Sequence, residues 1–186
     1  YDGSKAIAYL NGKAGEPKST SAKFTPNDED LYFARDEYGR TEDYTGDIDE
    51  VRIYNRALSA AEIQKLYGGA PKTSTTTATS RSGKLLCHLT FDDHTKPLKA
   101  KVGQDAIVRT GKDTPASGLG DARWESYIKD GALRIPTGTH LAVPVPAALA
   151  DRPGHPYTVE MKVRFPEPRS KWCCLMSMPV GNHMDA

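Results

Sequence analysis

The chain has 186 residues, 38% of them apolar, with 25 Lys plus Arg set against 24 Asp plus Glu. That much apolar side chain supports one large core or two small ones, and the near-balanced charge excludes the basic footprint of a nucleic-acid binder and the polybasic surface of a membrane-adsorbed protein. No run approaches the ~18 consecutive apolar residues of a membrane span and no basic-then-apolar leader is present, so no membrane insertion is expected in this segment.

Short strands dominate the first third. In YDGSKAIAYLNGK, Asp2-Gly3 and Asn11-Gly12 are turn dipeptides that bracket a strand near residues 5–10. A turn at residues 2–3 calls for a partner strand before Tyr1. LYFAR (31–35) and IDEVRIY (48–54) are further strands. Ser59 and Glu62 form an S-x-x-E capping box, with Leu58 and Ile63 at the positions of a hydrophobic staple, so a helix starts there. Ile63, Leu66 and Tyr67 share one helical face, and Gly68-Gly69 ends it.

Residues 68–83, GGAPKTSTTTATSRSG, lack apolar periodicity and read as a linker. KLLCHLTFDD (84–93) then starts a strand, a Gly- and Asp-rich region follows, and ALRIP (132–136), HLAVPVP (140–146), YTVEMKVRF (157–165) and WCCLMSM (172–178) are strands. In YTVEMKVRF the alternation places Tyr157, Val159, Met161, Val163 and Phe165 on one face and Thr158, Glu160, Lys162 and Arg164 on the other. Cys87, Cys173 and Cys174 form neither a CxxC nor a metal spacing, and Cys87 is expected as a small buried side chain.

GDIDEVRIYNRALSAAEIQKLY (46–67), preceded by YDG, AYLNGK and LYFARDEYGR, resembles the C-terminal half of a laminin-G-like jelly-roll domain of the concanavalin A-like lectin/glucanase superfamily. KLLCHLTFDD, DGALRIPTGTHLAVP and YTVEMKVRFPEPRSKWCCLMSM resemble the N-terminal half of a second such domain. The resemblance divides the chain into 1–67, a linker at 68–83, and 84–186. It implies an all-β antiparallel jelly-roll sandwich with one short helix closing the first segment. The two halves, in reversed order, are expected to pair as a circularly permuted sandwich, because each alone leaves open sheet edges.

Enzymes of this superfamily use an E-x-D-x-E strand whose alternate carboxylates share a face. Here Asp47, Asp49 and Val51 occupy that alternation, so the third carboxylate is missing and no catalysis is expected; Val51 and Ile53 are expected to face the core with Asp49 toward the same side, and Glu50 and Arg52 to pair on the opposite face. Calcium is the candidate cofactor: Asp92, Asp93, Asp47 and Asp49 are the candidate ligands, since the hard cation needs six to eight oxygens. For a glycan, aromatic faces and flanking polar groups point to Arg35, Asp36, Tyr38, Arg40 and Tyr44 in one loop and Trp124 and Tyr127 in another. No HExxH, G-x-S-x-G or phosphate-binding loop is present. The expectation is a non-catalytic carbohydrate-binding or adhesion module of a larger extracellular or cell-surface protein, with a glycan or an extracellular protein as partner. The alternatives are an accessory module of a glycoside hydrolase, or a structural spacer.

Overall fold

The computed structural model describes residues 1–20, 30–35, 44–68, 83–93, 95–110, 128–129, 131–135, 138–150, 154–165 and 173–177. Its strands are β1 (Lys5–Ala6), β2 (Tyr9–Leu10), β3 (Lys13–Ala14), β4 (Lys18–Ser19), β5 (Leu31–Phe33), β6 (Gly46–Tyr54), β7 (Leu85–Leu89), β8 (Ile107–Thr110), β9 (Ile128–Lys129), β10 (Ala132–Ile135), β11 (Thr139–Val143), β12 (Thr158–Arg164) and β13 (Met176–Ser177), with helices α1 (Ala60–Tyr67) and α2 (Ala147–Ala150). Most of the expected linker, 69–82, lies outside the described residues.

Two sheets carry the fold. One has the order β12-β6-β10-β9, with β7 also on β6; the other runs β13-β5-β11-β8. All of their ladders are antiparallel. β12 runs along one edge of β6, while the other edge is shared end to end by β10, opposite Gly46–Ile48, and β7, opposite Val51–Tyr54. Leu31, Phe33, Leu141 and Val143 from one sheet and Ile48, Val51, Ile53, Cys87, Leu89, Leu133 and Ile135 from the other form one buried cluster. Each fully buried side chain of this size contributes roughly 1.5–3 kcal/mol by leaving water, which makes the cluster the main source of cohesion between the sheets.

Strand pairing crosses the expected boundary. β6 pairs with β7, β10 and β12, and β5 pairs with β11 and β13, so both long strands of the first segment take partners from residues 85–177. The junction is also stitched locally: the Leu58 N–H donates to Thr158 Oγ1 at 2.9 Å, and the Lys84 N–H donates to Asn55 Oδ1 at 2.6 Å. The described residues of 1–67 and 84–177 therefore build one all-β sandwich together. Neither could close both sheets alone.

The amino-terminal expectation needs correction. The Asn11-Gly12 hairpin forms, with φ of 50° and 74° at its two turn residues and Leu10 opposite Lys13. The strand near residues 5–10 instead breaks into β1 and β2, and β1 pairs with β4. Tyr1 exchanges two backbone hydrogen bonds of 3.0 Å with Tyr157, and the Asp2 carboxylate accepts the Ser4 and Lys5 N–H groups. Asp2-Gly3 thus lies between Tyr1, paired with Tyr157, and β1, paired with β4.

Helix α1 starts as expected. Ser59 Oγ accepts the Glu62 N–H, and Glu62 Oε2 accepts the Ser59 N–H at 2.8 Å. Glu62 also receives two hydrogen bonds from Arg56, at 2.6 and 2.9 Å, which with the Ser59 donors bring its carboxyl down from 4.5 to about 2. Because the folded value lies below the ordinary one, this stabilisation is full above about 4.5 and is lost as pH falls from there toward 2. Ser59→Ala is expected to cost about 1 kcal/mol in urea unfolding at neutral pH, and a smaller amount once Glu62 is protonated. An unchanged midpoint at neutral pH would contradict this role for the cap.

Candidate functional site

The alternation of β6 changes phase in its middle. Arg52 lies opposite Glu160 and Asp49 opposite Lys162, so Glu50 and Val51 together face the single residue Met161. Glu50 absorbs the extra residue with φ of 53°, a left-handed conformation expected of a bulge. The consequence is that Ile48, Val51 and Ile53 all enter the core at 0% exposure. Asp47, Asp49, Glu50 and Arg52 consequently share the outer face. This corrects the expected placement of Glu50 opposite Asp49, and it separates Val51 from the carboxylates altogether.

Neighbouring strands complete that outer face: His88 from β7, Arg134 from β10, and Glu160, Lys162 and Arg164 from β12 lie in register beside the acids. Asp47 is the anchor at one end. Its carboxylate accepts from Arg134 Nε at 2.9 Å and Arg164 Nε at 2.7 Å. Burial acts to raise the Asp47 carboxyl, but hydrogen bonds and charge from the two arginines outweigh it and hold the group below its ordinary range. Tyr44 supports the anchor from inside, its hydroxyl 2.9 Å from the Asp47 carbonyl and 2.8 Å from that of Arg164. A Cβ at Gly46 would collide with this hydroxyl and with the Arg164 carbonyl, which explains the glycine in TGD.

A second cluster lies past the bulge. Arg52 donates to Glu50 Oε2 and reaches Glu160 Oε1 at 3.4 Å, and His88 Nε2 is 2.9 Å from Glu50 Oε2. Burial acts to raise Glu50, but the His88 hydrogen bond and the Arg52 charge hold it low. Glu160 is held high by burial despite Arg52. Asp49 is also raised, by burial and then by the Glu50 charge, with Lys162 3.8 Å away. Tyr54 is pushed up to about 12 by burial and by the charge of Glu160. One oxygen each of Asp49 and Glu160 is buried without a hydrogen-bond partner among the described residues. The face is thus a set of carboxylates held in place by cations, with acceptors left over.

Of the expected ligand-binding residues, Arg35 and Tyr44 lie among the described residues. Tyr44 is fully buried in the core and is not available to a ligand. Arg35 lies by the other sheet, its guanidinium 5.1 Å from the Tyr32 ring centroid and Nη1 3.5 Å from His140 Nε2. Asp36, Tyr38, Arg40, Trp124 and Tyr127 lie outside the described residues.

Nor do the four aspartates proposed for calcium assemble into one site. Two guanidiniums occupy the Asp47 carboxylate. Asp93 closes a turn, its Oδ1 accepting from the Thr95 N–H, the Thr95 hydroxyl and the Lys96 N–H. Asp92 is exposed and 3.6 Å from Lys101 Nζ, close enough to Asp49 to repel it. No group of three or more His, Cys, Asp or Glu suited to a metal occurs among the described residues.

Sequence patterning missed His88, Arg134 and Glu160 as members of one site. The alternation in YTVEMKVRF did place Glu160, Lys162 and Arg164 on a common face, but the register that lays them beside Asp47, Asp49 and Arg52 joins residues more than 100 positions apart. No helix among the described residues is long and apolar enough to cross a membrane. No curated protein and no solved structure matches the chain. A laminin-G-type family model does match: residues 1–64 carry the pattern of the Concanavalin A-like lectin/glucanases superfamily.

Proposed function

We propose that the chain is a non-catalytic carbohydrate-binding or adhesion module of a larger extracellular protein, its ligand surface being the outer face of the β6 sheet. In this proposal residues 1–67 and 84–186 are the C-terminal and N-terminal halves of laminin-G-like units, joined through 68–83. The observation that carries the reading is the bulge at Glu50, which gathers carboxylates, arginines and a histidine from four strands onto one face while the opposite face builds the core. Polar side chains held in fixed positions suit the hydroxyls of a sugar. The family match over residues 1–64 supports a binding module of this kind.

Arg52 argues against hydrolysis. A retaining glycosidase needs two carboxyl groups about 5 Å apart with the scissile bond between them, and here the guanidinium stands between Glu50 and Glu160. On a glycan array, with calcium and with a chelator, the protein is expected to bind, and His88→Ala to weaken binding about tenfold by releasing Glu50. Silence in both conditions would favour the spacer, and release of reducing ends from β-glucan would overturn the non-catalytic reading.

A further inference from the structure

Strand β12 lies at the end of its sheet, with β6 on one side. The Arg164 carbonyl is turned toward β6, where it meets the Tyr44 hydroxyl that also serves the Asp47 carbonyl. Backbone groups point to opposite sides at alternate residues of an antiparallel strand, and the bulge belongs to β6, so β12 keeps one phase. Thr158, Glu160, Lys162 and Arg164 therefore face β6, while Tyr157, Val159, Met161 and Val163 turn their N–H and C=O groups outward. Tyr157 uses its outward pair on Tyr1, with two bonds of 3.0 Å. Among the described residues nothing continues that pairing along Val159, Met161 and Val163, so their backbone groups form an open edge. Open edges are templates for a further strand unless they are short, broken by proline or charged on the inward side. β12 spans seven residues without a proline. Its inward Val159, Met161 and Val163 are only partly buried, whereas Ile48, Val51 and Ile53 of β6 are at 0% exposure.

We propose that the outer edge of β12 takes up an extended segment of a partner protein as an added antiparallel strand. This goes beyond the glycan reading of the β6 face and does not depend on it. The pairing of Tyr1 with Tyr157 is the first step of such a strand, and it sets the direction: the segment runs from opposite Arg164 to opposite Val159 and leaves the edge at Tyr1. Side chains directly opposite one another share a face. Residues of the segment facing Val163, Met161 and Val159 are therefore apolar and close over the core. Those facing Arg164 and Lys162, whose side chains are 55% and 67% exposed, are acidic, and the one facing Glu160 is basic. The partner thus reads acidic, apolar, acidic, apolar, basic, apolar in chain order.

The test is fluorescence anisotropy of a labelled synthetic peptide of that order, with glutamate, valine and lysine as its acidic, apolar and basic residues, titrated with the full chain. Saturable binding is expected. N-methylation of the valines, whose N–H groups face β12 in this register, abolishes it, and N-methylation of the glutamates and lysine, whose N–H groups face away, leaves it. A peptide with its charges reversed binds about tenfold more weakly. Lys162→Glu gives up only a 3.8 Å contact to Asp49. It weakens the original peptide, and a lysine at the facing position restores binding. Binding that survives methylation of the valines, or that ignores the order of charges, would overturn the inference. A peptide that fails to bind would also overturn it, and if the chain then elutes as a dimer the edge belongs to a second copy.

Discussion

Val51→Glu is expected to cost more than ~4 kcal/mol and to leave little folded protein. On a regular strand this substitution would complete the run of alternate carboxylates begun by Asp47 and Asp49, and would look like a gain of catalytic machinery. The bulge at Glu50 turns Val51 inward instead, to 0% exposure among Ile48, Ile53 and Leu89. A carboxylate there has no donor, and the cost of burying an unpaired charge is among the few single-site effects of this size. Circular dichroism and urea unfolding check the outcome. A Val51→Glu protein with wild-type stability would mean that position 51 faces outward and that the phase of β6 is regular.

Asp47→Ala is the second large effect. The side chain is 5% exposed and holds Arg134 and Arg164 together across three strands. Removing one member of a fully buried ion pair costs about 3–5 kcal/mol because a buried charge is left behind. Both arginines here are about half exposed and can turn to water, so a loss of about 2 kcal/mol is expected. Asp47→Asn keeps the shape and should fall in between. The folded carboxyl titrates below its ordinary value of 3.8, so its stabilisation is complete above that pH and disappears as pH falls through the lower folded value. The difference between wild type and Asp47→Ala should therefore shrink in acid, and a difference that persists unchanged at low pH would contradict this assignment.

How much of this was legible in the sequence depends on the range of each interaction. The capped helix at Ser59 and the Asn11-Gly12 hairpin are specified by neighbours a few residues apart, and both form where the pattern places them. The facing of YTVEMKVRF follows from its period of two and holds for Tyr157, Val159, Met161 and Val163, which pack against the core, while Phe165 is 43% exposed. On β6 the inward Val51 and Ile53 and the Glu50–Arg52 pair are as expected, but Asp47 and Asp49 lie on the other side from Val51 because one left-handed residue reverses the alternation, and Glu50 carries no local mark of it: Gly or Asn is the usual sign of positive φ. Asp47 looked like a metal ligand because its two arginine partners lie 87 and 117 positions away, brought in by strand register alone. Tyr44 looked like a platform for a sugar because its loop is polar, yet its ring packs edge-on against Phe165 at 5.2 Å.

Both the core and the β6 face exist only because strands of residues 31–54 are paired with strands of residues 85–177. Cutting the chain between residues 69 and 82 tests this most directly. With a protease site placed there and cleaved in the native protein, the two fragments should elute as one particle, keep a single cooperative unfolding transition and separate only in denaturant. Fragments that part in native buffer, each with its own unfolding transition, would contradict the shared sandwich and the ligand face built on it.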